Sequence, residues 1–234
     1  MKKSIGAIVT KNKLLIGVLS MVMFVSAGGV YAANNSDLTL QILAGSLATD
    51  IIDDNGVSVT APTTALSTSN FSFACQSGAN ASTGTLGTNT QRLYAINPGA
   101  ANNGFTLSIA ATAGPTALWE NSGATQTFDY NDAASSGCTD GADADTRGGQ
   151  LTINPSVATL TADCTSCTNS GVTTGSSTAF VQGSADSITI LSASAGSDDF
   201  YRGYLTGIGL SQTIPAEQAV DSYELNLTLS IVAL

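Results

Sequence analysis

The chain contains no histidine. That one absence removes imidazole general bases, His-based catalytic triads and the usual catalytic zinc sites together. Lysine occurs only at Lys2, Lys3, Lys11 and Lys13, so every later position lacks a lysine nucleophile or a lysine for covalent surface attachment. Charged residues are 10% of the sequence and aromatic ones 6%, with a single tryptophan, Trp119. No stretch carries a convincing 3.6-residue periodicity, which argues against a helical fold.

What is present begins with a leader. The four lysines precede an apolar run from Leu14 to Val30, and Val30-Tyr31-Ala32 offers small residues where a signal peptidase reads them. The expectation is a signal peptide over residues 1–32 and a single secreted domain over 33–234. An uncleaved anchor is the competing reading, since the run is near the lower length limit for a spanning helix. No cysteine stands at the cleavage point, which argues against a lipid-anchored form.

Cleavage would leave 202 of the 234 residues, with Arg92, Arg147 and Arg202 set against 17 acidic residues, a formal charge of −14. Such a chain is repelled by phosphate backbones and anionic lipid, so neither nucleic acid nor a membrane is expected as a partner after cleavage. Cations and neutral or amino-bearing polymers remain. A chain of this length buries roughly 70% of its unfolded surface, so disulfides are not needed merely to fold it.

Short alternating runs recur between Gly, Asn, Ser, Thr and Asp. They include Leu38-Leu40-Ile42, Val57-Val59 after the Asp53-Asp54-Asn55-Gly56 turn, Phe71-Phe73-Cys75, Leu93 to Ile96, Phe105 to Ile109, Leu151 to Ile153, Ser187 to Leu191 and Tyr204 to Leu210. The clearest is the last, where Tyr223, Leu225, Leu227, Leu229 and Ile231 alternate with Glu224, Asn226, Thr228 and Ser230. A period of two is that of a half-buried strand. With no tail after Leu234, this segment is expected to be a packed element that buries its alternate side chains. The fold class is all-β, an antiparallel β-sandwich with long loops in the middle of the chain, Gly114 to Gly183. In that middle, Trp119, Phe128 and Tyr130 are expected to cap one end of the core.

Four cysteines, Cys75, Cys138, Cys164 and Cys167, allow three pairings in an exported chain. Cys164 with Cys167 and Cys75 with Cys138 is the favoured arrangement. A redox site at Cys164-Thr-Ser-Cys167 or a four-cysteine zinc site are the sharper alternatives.

Chemistry concentrates in Asp140-Gly-Ala-Asp-Ala-Asp-Thr-Arg-Gly-Gly149. Asp140, Asp143 and Asp145 put three carboxylates within six residues among flexible glycines, the hard-oxygen chemistry of Ca²⁺. Asp129, Asn131 and Asp132 would add ligands if the loop folds back. Arg147 offers a blander role, neutralising the aspartates, and the spacing departs from the EF-hand rule. Glu120, Glu217 and Glu224 are the candidates for carboxylate-based glycan hydrolysis.

The segment Ile214-Pro-Ala-Glu-Gln-Ala-Val-Asp-Ser-Tyr-Glu-Leu-Asn-Leu-Thr-Leu-Ser-Ile231 resembles the closing strands of WxL-domain proteins of Gram-positive cell surfaces. Asn102-Asn-Gly-Phe-Thr-Leu-Ser-Ile109 resembles their earlier motif. The motif positions are Phe105 and Leu107, with phenylalanine in place of tryptophan, and Leu229 and Ile231. The resemblance implies a β-sandwich on the cell envelope, held non-covalently to peptidoglycan or another surface protein. The same ending is similar to fimbrial or coat-like surface subunits. The expected function is therefore non-enzymatic: wall attachment or surface display first, a structural subunit of a surface assembly second, an extracellular carboxylate hydrolase third.

Overall fold

The computed structural model describes residues 40–99, 103–141, 147–196 and 200–234. Leu43–Leu234 forms one compact unit. The leader, Asp143 and Asp145 lie outside the described residues.

The strands of this unit are β1 (Ala48–Ile52), β2 (Ser82–Leu86), β3 (Arg92–Asn97), β4 (Phe105–Ala111), β5 (Trp119–Asn121), β6 (Thr127–Phe128), β7 (Gln150–Asn154), β8 (Thr159–Ala162), β9 (Val172–Thr174), β10 (Thr178–Ala179), β11 (Ser187–Ala193), β12 (Tyr201–Thr206), β13 (Ile208–Thr213), β14 (Tyr223–Glu224) and β15 (Leu227–Ala233). All named pairings are antiparallel, in four sheets ordered β1-β3-β12-β8, β10-β7-β13-β2, β15-β4-β11-β9 and β14-β5-β6. The fold is an all-β sandwich with irregular connections through its middle, where β5 to β10 also lie.

The first two sheets continue into one another at a corner. β2 leads to β3, β7 to β8 and β12 to β13, each time crossing from one sheet to the other. The turn at the corner needs glycine: Gly207 has φ +82° and its N–H donates to the Gly87 carbonyl at 2.8 Å, and Gly87 has the same φ. A Cβ on Gly87 would stand 3.0 Å from the Leu205 carbonyl oxygen, so a larger residue is both strained and crowded there. Strands that switch sheets in this way let one chain wrap a core from two directions.

Leu93, Leu151, Ile153, Leu205 and Ile208 from those two sheets share the core with Phe105, Leu107, Ile109, Ile190 and Leu191 of the third. β4 alternates buried and half-buried residues along its whole length, as its sequence period requires. β11 breaks its alternation with a register shift between Thr189 and Leu191. The bulge puts the adjacent Ile190 and Leu191 both at 0% exposure, a placement that strict alternation forbids.

Three alternating runs are not strands among the described residues, and one of them, Val57 to Val59, makes only the isolated bridge of Ser58 with Ile52. The segment from Leu40 to Leu47 has no ladder, and Leu40 and Ile42 are exposed. Phe71 to Cys75 is a loop in which the Ser72 hydroxyl accepts from the Ala74 N–H and donates to the Ala74 carbonyl. Such local side-chain bonding offers the backbone an alternative to a ladder. The final strand has the expected facing, but Leu227, Leu229 and Ile231 are half-buried because β15 is the edge of its sheet.

Candidate functional site, an aromatic cleft beside an acidic loop

The small β14-β5-β6 sheet builds the aromatic wall of a cleft of about 390 Å³. Trp119 on β5 stacks with Phe128 on β6 at 5.9 Å and 9°, and Tyr223 on β14 meets Phe128 edge-on at 5.1 Å. The indole N–H of Trp119 donates to Gln212 Oε1 at 2.9 Å, and Gln212, 1% exposed, donates onward to the Asp129 and Thr213 carbonyls. Gln218 Nε2 donates to the Tyr223 hydroxyl at 2.8 Å, which itself donates to the Ala219 carbonyl at 2.7 Å. The opposite wall is the loop from Thr64 to Ser72, with Phe71 at its rim, half exposed at 47%. The ring of Phe73 lies 5.0 Å from that of Phe71.

Tyr130 does not join this group. It is fully buried, edge-on to Phe180 at 5.0 Å, and burial pushes its hydroxyl up to about 12, with the charges of Asp186 and Asp129 adding to the effect. The expected cap of Trp119, Phe128 and Tyr130 is thus divided between the cleft and the core. Sequence reasoning missed the cleft because Gln218 lies in irregular backbone that has no period, and because the strand-like period at Phe71 lies in a loop. The one signal was the lone tryptophan.

Asp221 closes the cleft at its polar end. Asn121 Nδ2 donates to Asp221 Oδ2 at 2.7 Å and the Ser222 N–H donates to Oδ1 at 2.8 Å, which holds this carboxyl below its ordinary 3.8. A depressed carboxylate contributes stability that is present above its unfolded value and lost as the pH falls through the lower folded value. Unfolding measured at pH values stepped downward through 3.8 is therefore expected to show a loss that Asp221→Asn reduces. An identical acid profile for that variant would show that the Asn121 contact contributes nothing.

The acidic loop is anchored at both ends to the segment that carries Asp129 and Asp132. The Asp129 N–H donates to the Gly148 carbonyl at 3.1 Å and the Asp132 N–H to the Gly149 carbonyl at 2.9 Å. At the loop's start, a Cβ on Gly141 would stand 2.3 Å from Asp132 Oδ1. Asp132 is 8% exposed, and its Oδ2 is buried without a hydrogen-bond partner among the described residues. The loop thus folds back onto Asp129 and Asp132. Asp140 itself is exposed, and no three acidic or thiol groups converge as a metal cluster among the described residues. Arg147 Nη1 donates to Gln218 Oε1 at 3.5 Å, toward the cleft.

The cysteines form two bridges, Cys75–Cys138 and Cys164–Cys167, with Cα separations of 5.4 and 5.1 Å. Of the three pairings open to the sequence, this is the one formed, and no free thiol stands at the Cys-x-x-Cys site. Beside Cys164, Asp163 accepts from the Tyr94 hydroxyl and pairs with Arg202 at 3.5 Å, while Arg92 lies 4.8 Å over the Tyr204 ring. Glu224 stands opposite Glu120 across β14 and β5, both exposed, and Glu217 is exposed as well.

Phe105, Leu107, Leu229 and Ile231 come together. β15 pairs with β4 so that Leu229 faces Ile109, Ile231 faces Leu107 and Ala233 faces Phe105. Fold and site define a disulfide-bonded all-β protein of the sandwich class, with no helix among the described residues long and apolar enough to cross a membrane. No protein-family model, curated protein or solved structure matches the chain.

Proposed function

We propose that this is an exported, non-enzymatic surface protein that attaches non-covalently to a cell-wall polymer, peptidoglycan first, through the Trp119 cleft. The observation that carries the reading is the make-up of the cleft: the Trp119, Phe128 and Tyr223 rings on one wall, the polar side chains of Thr68, Ser69, Asn70 and Ser72 in its lining, and a half-exposed Phe71 at its rim. A sugar offers C–H faces to rings and hydroxyls to polar side chains, so a concave cleft that mixes the two suits a glycan. Two disulfides agree with an oxidising compartment, and the basic leader with export. The pairing of the two WxL-like segments supports the family resemblance without depending on the cleft.

Sedimentation with purified cell walls tests the proposal. The chain is expected to pellet, and Phe71→Ala to weaken binding roughly two- to tenfold with an unchanged melting temperature, as loss of one aromatic contact predicts. A chain that stays in solution, or a Phe71→Ala variant that binds as well as the original, overturns it. A second reading, a subunit of an ordered surface assembly, is favoured by one observation, that β15 is an edge strand without a charged side chain.

A further inference from the structure

The aromatic cleft continues into an apolar groove of about 170 Å³, with Thr64, Leu66 and Trp119 lining both. The indole N–H of Trp119 is committed to Gln212, so at this junction the residue offers carbon surface to either side. Leu93, Ile109 and Leu151, at 0%, 2% and 2% exposure, are core side chains, whereas Leu66, Leu86 and Leu225 in the same lining are only half-buried. The core therefore has an opening here, where aliphatic side chains keep part of their surface in water. A void of this kind forfeits dispersion contacts along its lining, and an apolar group of matching size restores them.

Charge and size limit what can enter. Among the described residues no charged side chain lines the groove, and only Asp221 lines the cleft. An anionic ligand is disfavoured by the formal charge of −10, and the groove has no group to pair a buried cation. An apolar cavity of about 150 Å³ takes a benzene ring, six carbons. A groove only slightly larger has room for a short aliphatic group and not for the acyl chain of a membrane lipid.

We infer that the ligand of this site is a neutral sugar bearing a short aliphatic substituent, an alkyl or acyl group of about six carbons, with the ring in the cleft and the substituent passing Trp119 and Leu66 into the groove. The inference rests on the glycan reading of the cleft and adds what the sugar carries. The polar side chains and rings of the cleft orient the sugar, while the groove supplies affinity through burial of the substituent alone.

The full chain, expressed with its own leader, is titrated calorimetrically with alkyl β-glycosides of N-acetylglucosamine from methyl to dodecyl, each below its micelle-forming concentration. Affinity is expected to rise about fourfold for each methylene buried, and to level off beyond the hexyl member. Leu86→Trp fills the groove away from the cleft, and is expected to flatten the series while leaving the methyl glycoside's affinity and the melting temperature unchanged. Should that variant lose stability, the length series on the original chain still decides. A series that is flat from methyl to hexyl, one that rises without a break to dodecyl, or one that a folded Leu86→Trp chain reproduces overturns the inference. The glycan reading is judged by the methyl glycoside and by Phe71→Ala: a methyl glycoside that binds in a flat series defeats this inference alone, and one that does not bind defeats both.

Discussion

Phe105→Ala is expected to cost about 3–5 kcal/mol of folding stability, the largest effect of any single substitution here. The ring is 1% exposed, lies 5.9 Å from that of Tyr201, and belongs to the central strand of its sheet. Its neighbours across the ladders are Ala193 on β11 and Ala233 on β15, small residues on both sides that leave room for it. Gly104 just before it has φ +102°, and a Cβ there would sit 2.1 Å from the Ala193 carbonyl oxygen, so the chain cannot shift easily to fill a cavity. Leu227→Ala on β15 is expected to cost less, about 1–2 kcal/mol, because that side chain is only half withdrawn from water. Val232→Ala, at a 60% exposed position, is expected within about 0.5 kcal/mol. Urea unfolding of the three variants checks the order; a Phe105→Ala cost no larger than that of Val232→Ala would remove β4 from the core.

Loss of the Cys75–Cys138 bridge is expected to cost about 4 kcal/mol. The two residues are 63 apart in sequence, and closing a loop of that size withdraws about this much chain entropy from the unfolded state. The bridge also ties the Phe71 loop, next to the Gln76–Ile214 bridge pair, to the turn Ala134–Gly137 that opens the acidic loop. The Cys75→Ala/Cys138→Ala variant should therefore lose wall binding as well as stability, because the rim of the cleft is freed. Cys164→Ala/Cys167→Ala, which opens a loop of only three residues' separation, is expected to cost about 2 kcal/mol and leave binding unchanged. Equal denaturation midpoints for the two double variants would contradict the loop-entropy argument.

Legibility followed side-chain contrast. β3, β4, β11 and β12–β13 were visible as apolar runs, since inward residues such as Leu93, Phe105, Leu107 and Ile188 differ sharply from their neighbours. β2, Ser82–Leu86, was not visible: Ser-Thr-Gly-Thr-Leu has almost no apolar period, and it becomes a strand through its pairing with β13. The opposite error arose at Phe71-Phe73, where the right period lies in a loop shaped by local bonds of Ser72. In the acidic loop, the contact of Gly141 with Asp132 joins positions that no spacing rule connects.

By itself the sequence determined the all-β class, the facing of the last strand, the cation-poor composition and the absence of histidine chemistry. These are properties of composition and of nearest-neighbour period, which a chain carries before it folds. Tertiary structure alone decided that β12 and β13 divide at Gly207, that β15 is an edge, that Trp119 and Tyr130 part company, and that Phe71, Gln212, Gln218 and Tyr223 meet at one cleft. Each of these depends on which distant segments share a ladder or a core, and that choice is made by the burial of the whole chain, whose free energy no local window contains.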